Sequence, residues 1–122
     1  MPEVKGVYLL PLTLELADDP AEQELGLSNR KSMPQNTGML FAFPAPSIPG
    51  IWMKDMHFAL DLVWIDEGRK IVQIDANVSP DTYPRIFRPS GLVKYVLEVN
   101  AGVARDLGLY VGQSLDFGTV SE

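Results

Sequence analysis

Four polar side chains interrupt one of the most apolar stretches of the chain, IWMKDMHFALDLVWID at residues 51–66. They are Lys54, Asp55, His57 and Asp61. An unpaired ion in an apolar interior costs several kcal/mol, or it neutralises itself instead. Polar groups in such a segment therefore indicate one of three roles: binding a ligand, transferring protons, or holding the fold together.

Strand alternation predicts which of the polar groups in and around this stretch point inward, because every second residue of a strand shares a face. Trp52 and Lys54 share one face and Asp55 lies on the other, so one of the two charges is directed to the interior or to a cavity opening from it. Asp61 and Glu98 also alternate with apolar residues in two further predicted strands. Charges from several strands are thus directed towards the interior.

These observations predict a ligand-binding cleft beside a tryptophan. Its candidate residues are Arg30, Trp52, Lys54, Asp55, Asp61 and Glu98. Trp52 supplies an apolar wall, and Arg30 is a natural bidentate partner for one of the acids. Each residue alone also suits a structural role, since carboxylates at chain corners accept backbone N–H groups and a lysine stem can lie along a tryptophan ring. The expected ligand is a sugar, a peptide segment or a small polar metabolite.

Two other functions fit the same residues. The first is an acid/base hydrolase that uses Asp55, Asp61 and Glu98, because paired carboxyl groups in different protonation states cleave glycosidic bonds. The second is a protein-interaction scaffold that uses the proline and aromatic residues of 44–49 and 83–89. Serine–histidine chemistry is disfavoured, because His57 is the only histidine and no serine stands in a nucleophile-elbow pattern. We assign no catalytic residue.

The residue types argue against a metal centre or a cofactor. The chain has one histidine and no cysteine, which leaves only oxygen ligands, and no calcium-loop spacing occurs. Asp55 and Asp61 could share a hard cation only if the corner between them brings them together. We predict neither a metal nor a cofactor.

Length and charge restrict the partners. At 122 residues we expect a single domain, residues 1–122, and a monomer. The net charge of −6 argues against a nucleic-acid partner, although Arg85, Arg88 and Lys94 stand among aromatic residues. No apolar run reaches the roughly 20 residues of a membrane span. The compartment stays open: exported or periplasmic if a signal segment was removed, otherwise cytoplasmic.

Turn and breaker residues predict the strands. We expect a strand at 7–16, with Pro11 favouring an edge position, and a strand within 38–43. The segments around residues 66–69 form a hairpin, residues 77–91 form a long loop, and a last strand lies near 114–120.

Capping residues predict two short helices. The first has Asp18 or Asp19 as its N-cap, ends at Gly26, and directs Ala21 and Leu25 inward. The second follows a strand directly and has Asn100 as its N-cap, an inner face of Val103, Ala104 and Leu107, and its end at Gly108. The resulting fold class is α+β: a small, mainly antiparallel or mixed sheet, curled into a barrel-like core, with two short helices.

Six motifs stand in the order and approximate spacing of the DUF192 (UPF0127) family, which the chain resembles from near Leu14 to Phe117. They are GLSNR, GMLFAF, WMKD, LDLVWID, YVLEVNAG and VGQSL. The resemblance implies a small α+β protein of a mostly bacterial and archaeal family, many of whose members carry an export signal and which has no established activity.

One departure from the family pattern bears on the predicted cleft. The family usually has Phe-Trp-Met-Lys-Asn-Thr, followed by Pro-Leu-Asp. Trp52, Lys54 and Asp61 match this pattern, whereas Asp55 replaces the asparagine. An acid therefore stands beside Lys54 where the resemblance implies an amide.

Overall fold

The described residues form six strands and two short α-helices. The computed structural model describes residues 8–9 and 11–118 of the chain. In chain order the elements are β1 (Tyr8–Leu9), β2 (Leu12–Ala17), α1 (Pro20–Leu25), β3 (Thr37–Ser47), β4 (Leu60–Ile65), β5 (Ile71–Val78), β6 (Val93–Asn100) and α2 (Val103–Asp106). A single 3₁₀ turn, Pro80–Thr82, follows β5. The predicted α+β class is confirmed. No helix in the described part of the chain is long and apolar enough to cross a membrane.

The strands form one mixed sheet in the order β1-β2-β3-β6-β4-β5. Strands β2 and β3 are parallel and are joined through α1, because a parallel pair needs a crossover connection. All other neighbours are antiparallel, including the predicted β4–β5 hairpin. Among the described residues β1 and β5 occupy the two edges, so the predicted mixed sheet is confirmed but its curling into a barrel-like core is not.

Both faces of the sheet are buried. The face covered by α2, which we call the α2 face, contains Leu14, Leu40, Val63, Leu97 and Phe117. The opposite face is covered by residues 27–33 and 51–58, and we call it the loop face. Its buried residues include Leu27, Met39, Phe41, Met53 and Trp64. Because side chains alternate along each strand, the apolar residues of β4, which are all those except Asp61, supply both cores.

Helix α1 begins and ends where its capping residues predict. Asp19 is the N-cap, its carboxylate accepts the Glu22 N–H at 2.8 Å, and Gly26 ends the helix with a positive φ of 50°. The predicted inward side is wrong, because Ala21 is exposed and Leu25 is 52% exposed. Gln23 instead holds the helix to the sheet by donating hydrogen bonds to the carbonyls of β2 and β3.

Helix α2 has the predicted inner face but not the predicted cap. Val103 and Ala104 are buried, whereas the N-cap is Gly102, at a φ of 93°, rather than Asn100. The Asn100 side chain donates to the Met33 carbonyl, so it ties the sheet to the α1–β3 connection. A carboxylate from a different strand, Asp61, takes over the capping role.

The predicted first and last strands differ from those observed. The chain breaks into β1 and β2 at Pro11, and the two pair as antiparallel neighbours. Residues 114–118 make one isolated bridge, between Ser114 and Lys70, and form no strand; the remainder of the predicted last strand lies outside the described residues. Leu115 and Phe117 are buried, so this segment covers the α2 face.

Arg69 fastens this last segment. Its guanidinium lies 4.1 Å from the centroid of the Phe117 ring and donates a hydrogen bond to the Gly118 carbonyl.

We expect Arg69→Met to lower the free energy of unfolding by about 1–2 kcal/mol, because a cation–π contact and a charge-assisted hydrogen bond are lost. Urea unfolding measures the difference. Arg105→Met is the matched control, since the Arg105 side chain is 85% exposed and pairs only with its neighbour Asp106 among the described residues. Equal effects of the two substitutions would contradict the fastening role.

Candidate functional site

A hollow of about 250 Å³ opens on the loop face between α1 and residues 50–56. Its lining is mixed: apolar side chains include Leu27, Phe41, Met53, Met56 and Leu60, and polar ones include Gln23, Glu24 and Ser28. Trp52 and Leu25 stand at its exposed margin, where their side chains are 45% and 52% exposed. Glu98 also lines this hollow. The hollow thus has a lining of polar and apolar side chains, and it includes one acid from the centre of the sheet.

Glu98 is a buried acid that has no polar partner among the described residues. The residue is 4% exposed, and its carboxyl group makes no hydrogen bond or ion pair within residues 11–118. Every fully enclosed polar side-chain atom in the same residues does have a hydrogen-bond partner, so the Glu98 oxygens must reach the space of the hollow. Burial raises the pKa of Glu98 from its ordinary 4.5 to about 8. At neutral pH the group is therefore mostly an uncharged carboxylic acid.

Strand register places Glu98 at the centre of the loop face. Glu98 pairs with Met39 on one side and with Leu62 on the other. Its neighbours above and below on this side of β6 are Val96 and Asn100, in accordance with the predicted alternation. Three of these four neighbours, Met39, Leu62 and Val96, are apolar, and their packing contributes to the desolvation of the acid.

Trp52 borders the hollow and is itself held by two side chains. Its ring centroid lies 5.1 Å from that of Tyr83, at a tilt of 45°. The Lys54 ammonium lies 5.7 Å from the centroid of the Trp52 ring, so the predicted packing of the lysine along the tryptophan is observed. Lys54 and Asp55 are exposed and line a second, shallower hollow of about 380 Å³, which shares Trp52 with the first.

Main-chain hydrogen bonds join the corner at residues 51–56 to the end of α1. The Asn29 N–H donates to the Asp55 carbonyl at 2.8 Å, and the Ser28 hydroxyl donates to the Lys54 carbonyl at 3.3 Å. Asp55 has a positive φ of 59°, a conformation that asparagine and aspartate adopt more readily than most other residues. This backbone requirement is met by Asp55 as well as by the family's usual asparagine.

Arg30 has a different partner from the predicted one. Its guanidinium forms a bidentate pair with Glu15, at 2.7 and 3.0 Å. Glu15 pairs with Met39, which in turn pairs with Glu98, so the ion pair lies two strands from Glu98, about 10 Å away across the sheet. Arg30 is therefore not the counter-ion of Glu98.

Asp61 lies on the α2 face and is occupied by main-chain donors. It is 1% exposed and accepts hydrogen bonds from the N–H groups of Asn77 at 2.8 Å, Gly102 at 3.0 Å and Ala104 at 3.0 Å. Two of these donors belong to the first turn of α2, so Asp61 is the cap of that helix. It cannot join Glu98, which faces the opposite side of the sheet, or share a cation with Asp55, which lies on the loop side.

The structure thus brings together part of the predicted cleft. Trp52 and Glu98 line one hollow, and Lys54 and Asp55 line the adjoining one. The sequence interpretation missed the apolar walls of the hollow, including Leu27 and Met56. Gly26 is the sequence signal that indicates these residues. It ends α1, and the GLSNR segment that starts there packs against the WMKD segment.

Two further clusters do not form a site. Arg85 lies over the Phe87 ring at 4.3 Å, whereas Lys94 lies over Tyr95 at 5.3 Å. Tyr95 belongs to the core of the α2 face and Phe87 to that of the loop face, so these cations do not form one basic surface. The acids Asp18, Asp19 and Glu22 lie close together, but they cap α1.

The chain resembles known proteins both in sequence and in fold. A family model described as DUF192, Uncharacterized ACR, COG1430, matches residues 3–117. The chain belongs to the DUF192 family. The resemblance of the six motifs is thereby confirmed, and the buried acid, the corner at residues 51–56 and the Asp61 cap are features of a DUF192 fold. No curated protein matches the chain.

Two crystal structures of bacterial proteins resemble this DUF192 protein. One is a Sinorhizobium meliloti 1021 protein, proposed to be a transcription regulator, with 38% identity and a TM-score of 0.82, covering 87% of this chain and 81% of the relative. The other is a Novosphingobium aromaticivorans DSM 12444 protein of unknown function, with 30% identity and a TM-score of 0.82, covering 87% and 75%.

Proposed function

We propose that the protein is a binding module whose ligand enters the hollow between Trp52 and Glu98. The observation that carries this proposal is the Glu98 carboxyl group, which is buried and unpartnered among the described residues yet reaches the hollow. A buried polar group without a partner costs free energy that a leucine of similar size would not. A ligand that hydrogen-bonds to Glu98 supplies the missing partner.

The size and walls of the hollow restrict the ligand. At about 250 Å³ the hollow is smaller than the roughly 300–1,000 Å³ of pockets that take drug-sized molecules. A small metabolite or a single side chain of a peptide fits these dimensions. The apolar part of the lining favours a ligand with a short aliphatic or aromatic part, and Glu98 favours a polar group at its inner end.

The two alternative functions find less support. The proposed acid/base hydrolase requires Asp55, Asp61 and Glu98 to act together, whereas Asp61 lies on the other face with its oxygens occupied. Exposed apolar side chains around the hollow, among them Tyr83 and Ile86, favour a peptide as one source of the ligand. The net charge of −6 gives no support for DNA binding like that of a transcription regulator.

A titration with small probes tests the binding module. Backbone amide NMR spectra would be recorded with millimolar n-butylammonium, butan-1-ol, N-acetylglucosamine and butyrate. We expect at least one probe to shift the amide signals of Gly26, Leu27 and Met53 together. Trp52→Ala should lower the affinity for that probe by about tenfold, because the substitution removes a side chain that lines the hollow.

The matched control is Tyr110→Ala, because Tyr110 is exposed but does not line the hollow. It should leave the affinity unchanged. Absence of a response to all four probes, or equal weakening by both substitutions, would overturn the proposed function.

A further inference from the structure

We propose that the ligand group bound beside Glu98 is an organic cation, namely the ammonium end of an alkylamine or of a lysine-like side chain. This inference rests on the proposed function and specifies its ligand. It follows from the ionisable groups that line the hollow, from the chemistry of the other lining side chains, and from the absence of a partner for Glu98 among the described residues.

The two ionisable side chains that line the hollow itself are both acids. Glu98 and Glu24 line it, and no lysine, arginine or histidine in the described part of the chain does so. Arg30 is held by Glu15, and Lys54 lies over the Trp52 ring in the adjoining hollow. A bound anion would therefore meet two acids and no cation, whereas an ammonium group would meet its counter-ion at the inner end.

The walls suit a cation with an aliphatic stem. Phe41 and Trp52 present aromatic rings, which attract cations through their negative faces. The position of the Lys54 ammonium 5.7 Å from the Trp52 ring centroid is an example of this attraction in the same protein. Met53 and Met56 add flexible thioether side chains, which adapt to the methylene groups of a stem.

Binding of a cation should release a proton. The alkylammonium keeps its own proton and donates a hydrogen bond to the ionised carboxylate, while the proton of the neutral Glu98 carboxyl group goes to the buffer. The other ionisable groups near the hollow are Glu24 on α1, Lys54 and Asp55 on the corner at residues 51–56, Arg88 beside Gly50, the Arg30–Glu15 pair two strands away, and Asp75 two strands away on the other side of Glu98. The strand neighbours of Glu98, Met39 and Leu62, do not ionise. One proton per bound cation is therefore expected.

The test is a calorimetric titration with n-butylammonium between pH 6 and pH 9, with butan-1-ol as the uncharged isostere. Butylammonium stays charged over this range. We expect its dissociation constant to fall about tenfold per pH unit between pH 6 and 7.5 and to level off above pH 8. Repeating the titration in buffers of different ionisation enthalpy counts the released proton. Butan-1-ol should show no such dependence.

Two substitutions keep the test specific. Glu98→Gln preserves the shape of the side chain but should abolish proton release. It should also lower the affinity for butylammonium by at least about tenfold at pH 9. Glu67→Gln, the matched control in the exposed hairpin turn away from the hollow, should leave the affinity and the proton release unchanged. A terminally blocked peptide with one central lysine, compared with the free amine, distinguishes a peptide source from a metabolite: tighter binding of the peptide indicates the former.

The possible failures are distinguishable. If butan-1-ol or N-acetylglucosamine binds in the hollow and neither butylammonium nor the lysine peptide does, the cation inference is wrong and the binding module stands. If an amine binds without proton release, or binds equally to Glu98→Gln, the assignment to Glu98 is wrong. If no probe binds, both proposals fail.

Discussion

Replacing Asp61 by alanine should lower the free energy of unfolding by on the order of 4 kcal/mol, because three buried or partly buried N–H groups lose their acceptor together. The carboxylate accepts from the Asn77, Gly102 and Ala104 amides at 2.8, 3.0 and 3.0 Å. Asp61→Asn should cost about half as much, since one amide oxygen remains as an acceptor while its NH₂ group meets backbone donors. Urea unfolding at neutral pH measures both losses.

Hydrogen exchange separates the capping role from a general loss of packing. The amides of Gly102 and Ala104 should exchange faster in Asp61→Asn, at matched global stability, than those of the central strand β6. Asp106→Ala is the control, because the Asp106 side chain is 63% exposed and contacts only Arg105 among the described residues. Equal stability of Asp61→Ala and Asp106→Ala would show that Asp61 is not the cap of α2.

Glu98→Gln should have the opposite effect and stabilise the protein at alkaline pH. Burial raises the pKa of Glu98 from 4.5 to about 8, so the folded state holds this proton more tightly than the unfolded state does. The wild-type stability therefore falls as the pH rises from 4.5 to about 8 and is constant with respect to this group outside that range. Over this pH range the free energy of unfolding of the wild type falls by on the order of 4 kcal/mol.

The comparison of wild type and variant isolates this group. Glutamine cannot ionise, so Glu98→Gln should match the wild type near pH 4 and exceed its stability by on the order of 4 kcal/mol at pH 9. Urea unfolding at intervals of half a pH unit gives the difference curve. A flat curve for Glu98→Gln would mean that the acid ionises normally and has a partner or open solvent.

Local signals account for the parts of the fold that the sequence predicts well. The Asp19 cap, the Gly26 stop and the hairpin turn at residues 66–69 each depend on residues within a few positions of one another. The burial of Glu98 could also be predicted, because period-two alternation along a strand places it on the same side as Val96 without reference to any other strand.

Contacts between distant segments account for the failures. The α2 cap is Asp61, 41 residues before Gly102 in the chain, so Asn100 looked the better cap from the local sequence alone. Arg30 pairs with Glu15, which lies 15 residues earlier on a strand whose position beside β3 depends on the crossover. Pairing partners and the closure of the sheet are set by tertiary packing, which no local pattern records.

The corner at residues 51–56 shows how a family departure can be neutral for the fold. The side chain of Asp55 is exposed, and the carbonyl of the same residue accepts the Asn29 N–H. A positive φ and a carbonyl acceptor are both compatible with aspartate or asparagine. The acid therefore changes the charge of the outer hollow and leaves the geometry of the corner as it is.

The most direct measurement is a ¹³C NMR titration of the Glu98 carboxyl carbon, assigned by comparison with Glu98→Gln, in the absence and presence of n-butylammonium. Because Glu98 reaches the hollow and has no polar partner among the described residues, its carboxyl group should titrate with a pKa of about 8 in the free protein. This pKa should fall when the amine is added. Titration near the ordinary value of 4.5 in the free protein, with no response to the amine, would contradict the role assigned to Glu98 and with it the proposed site.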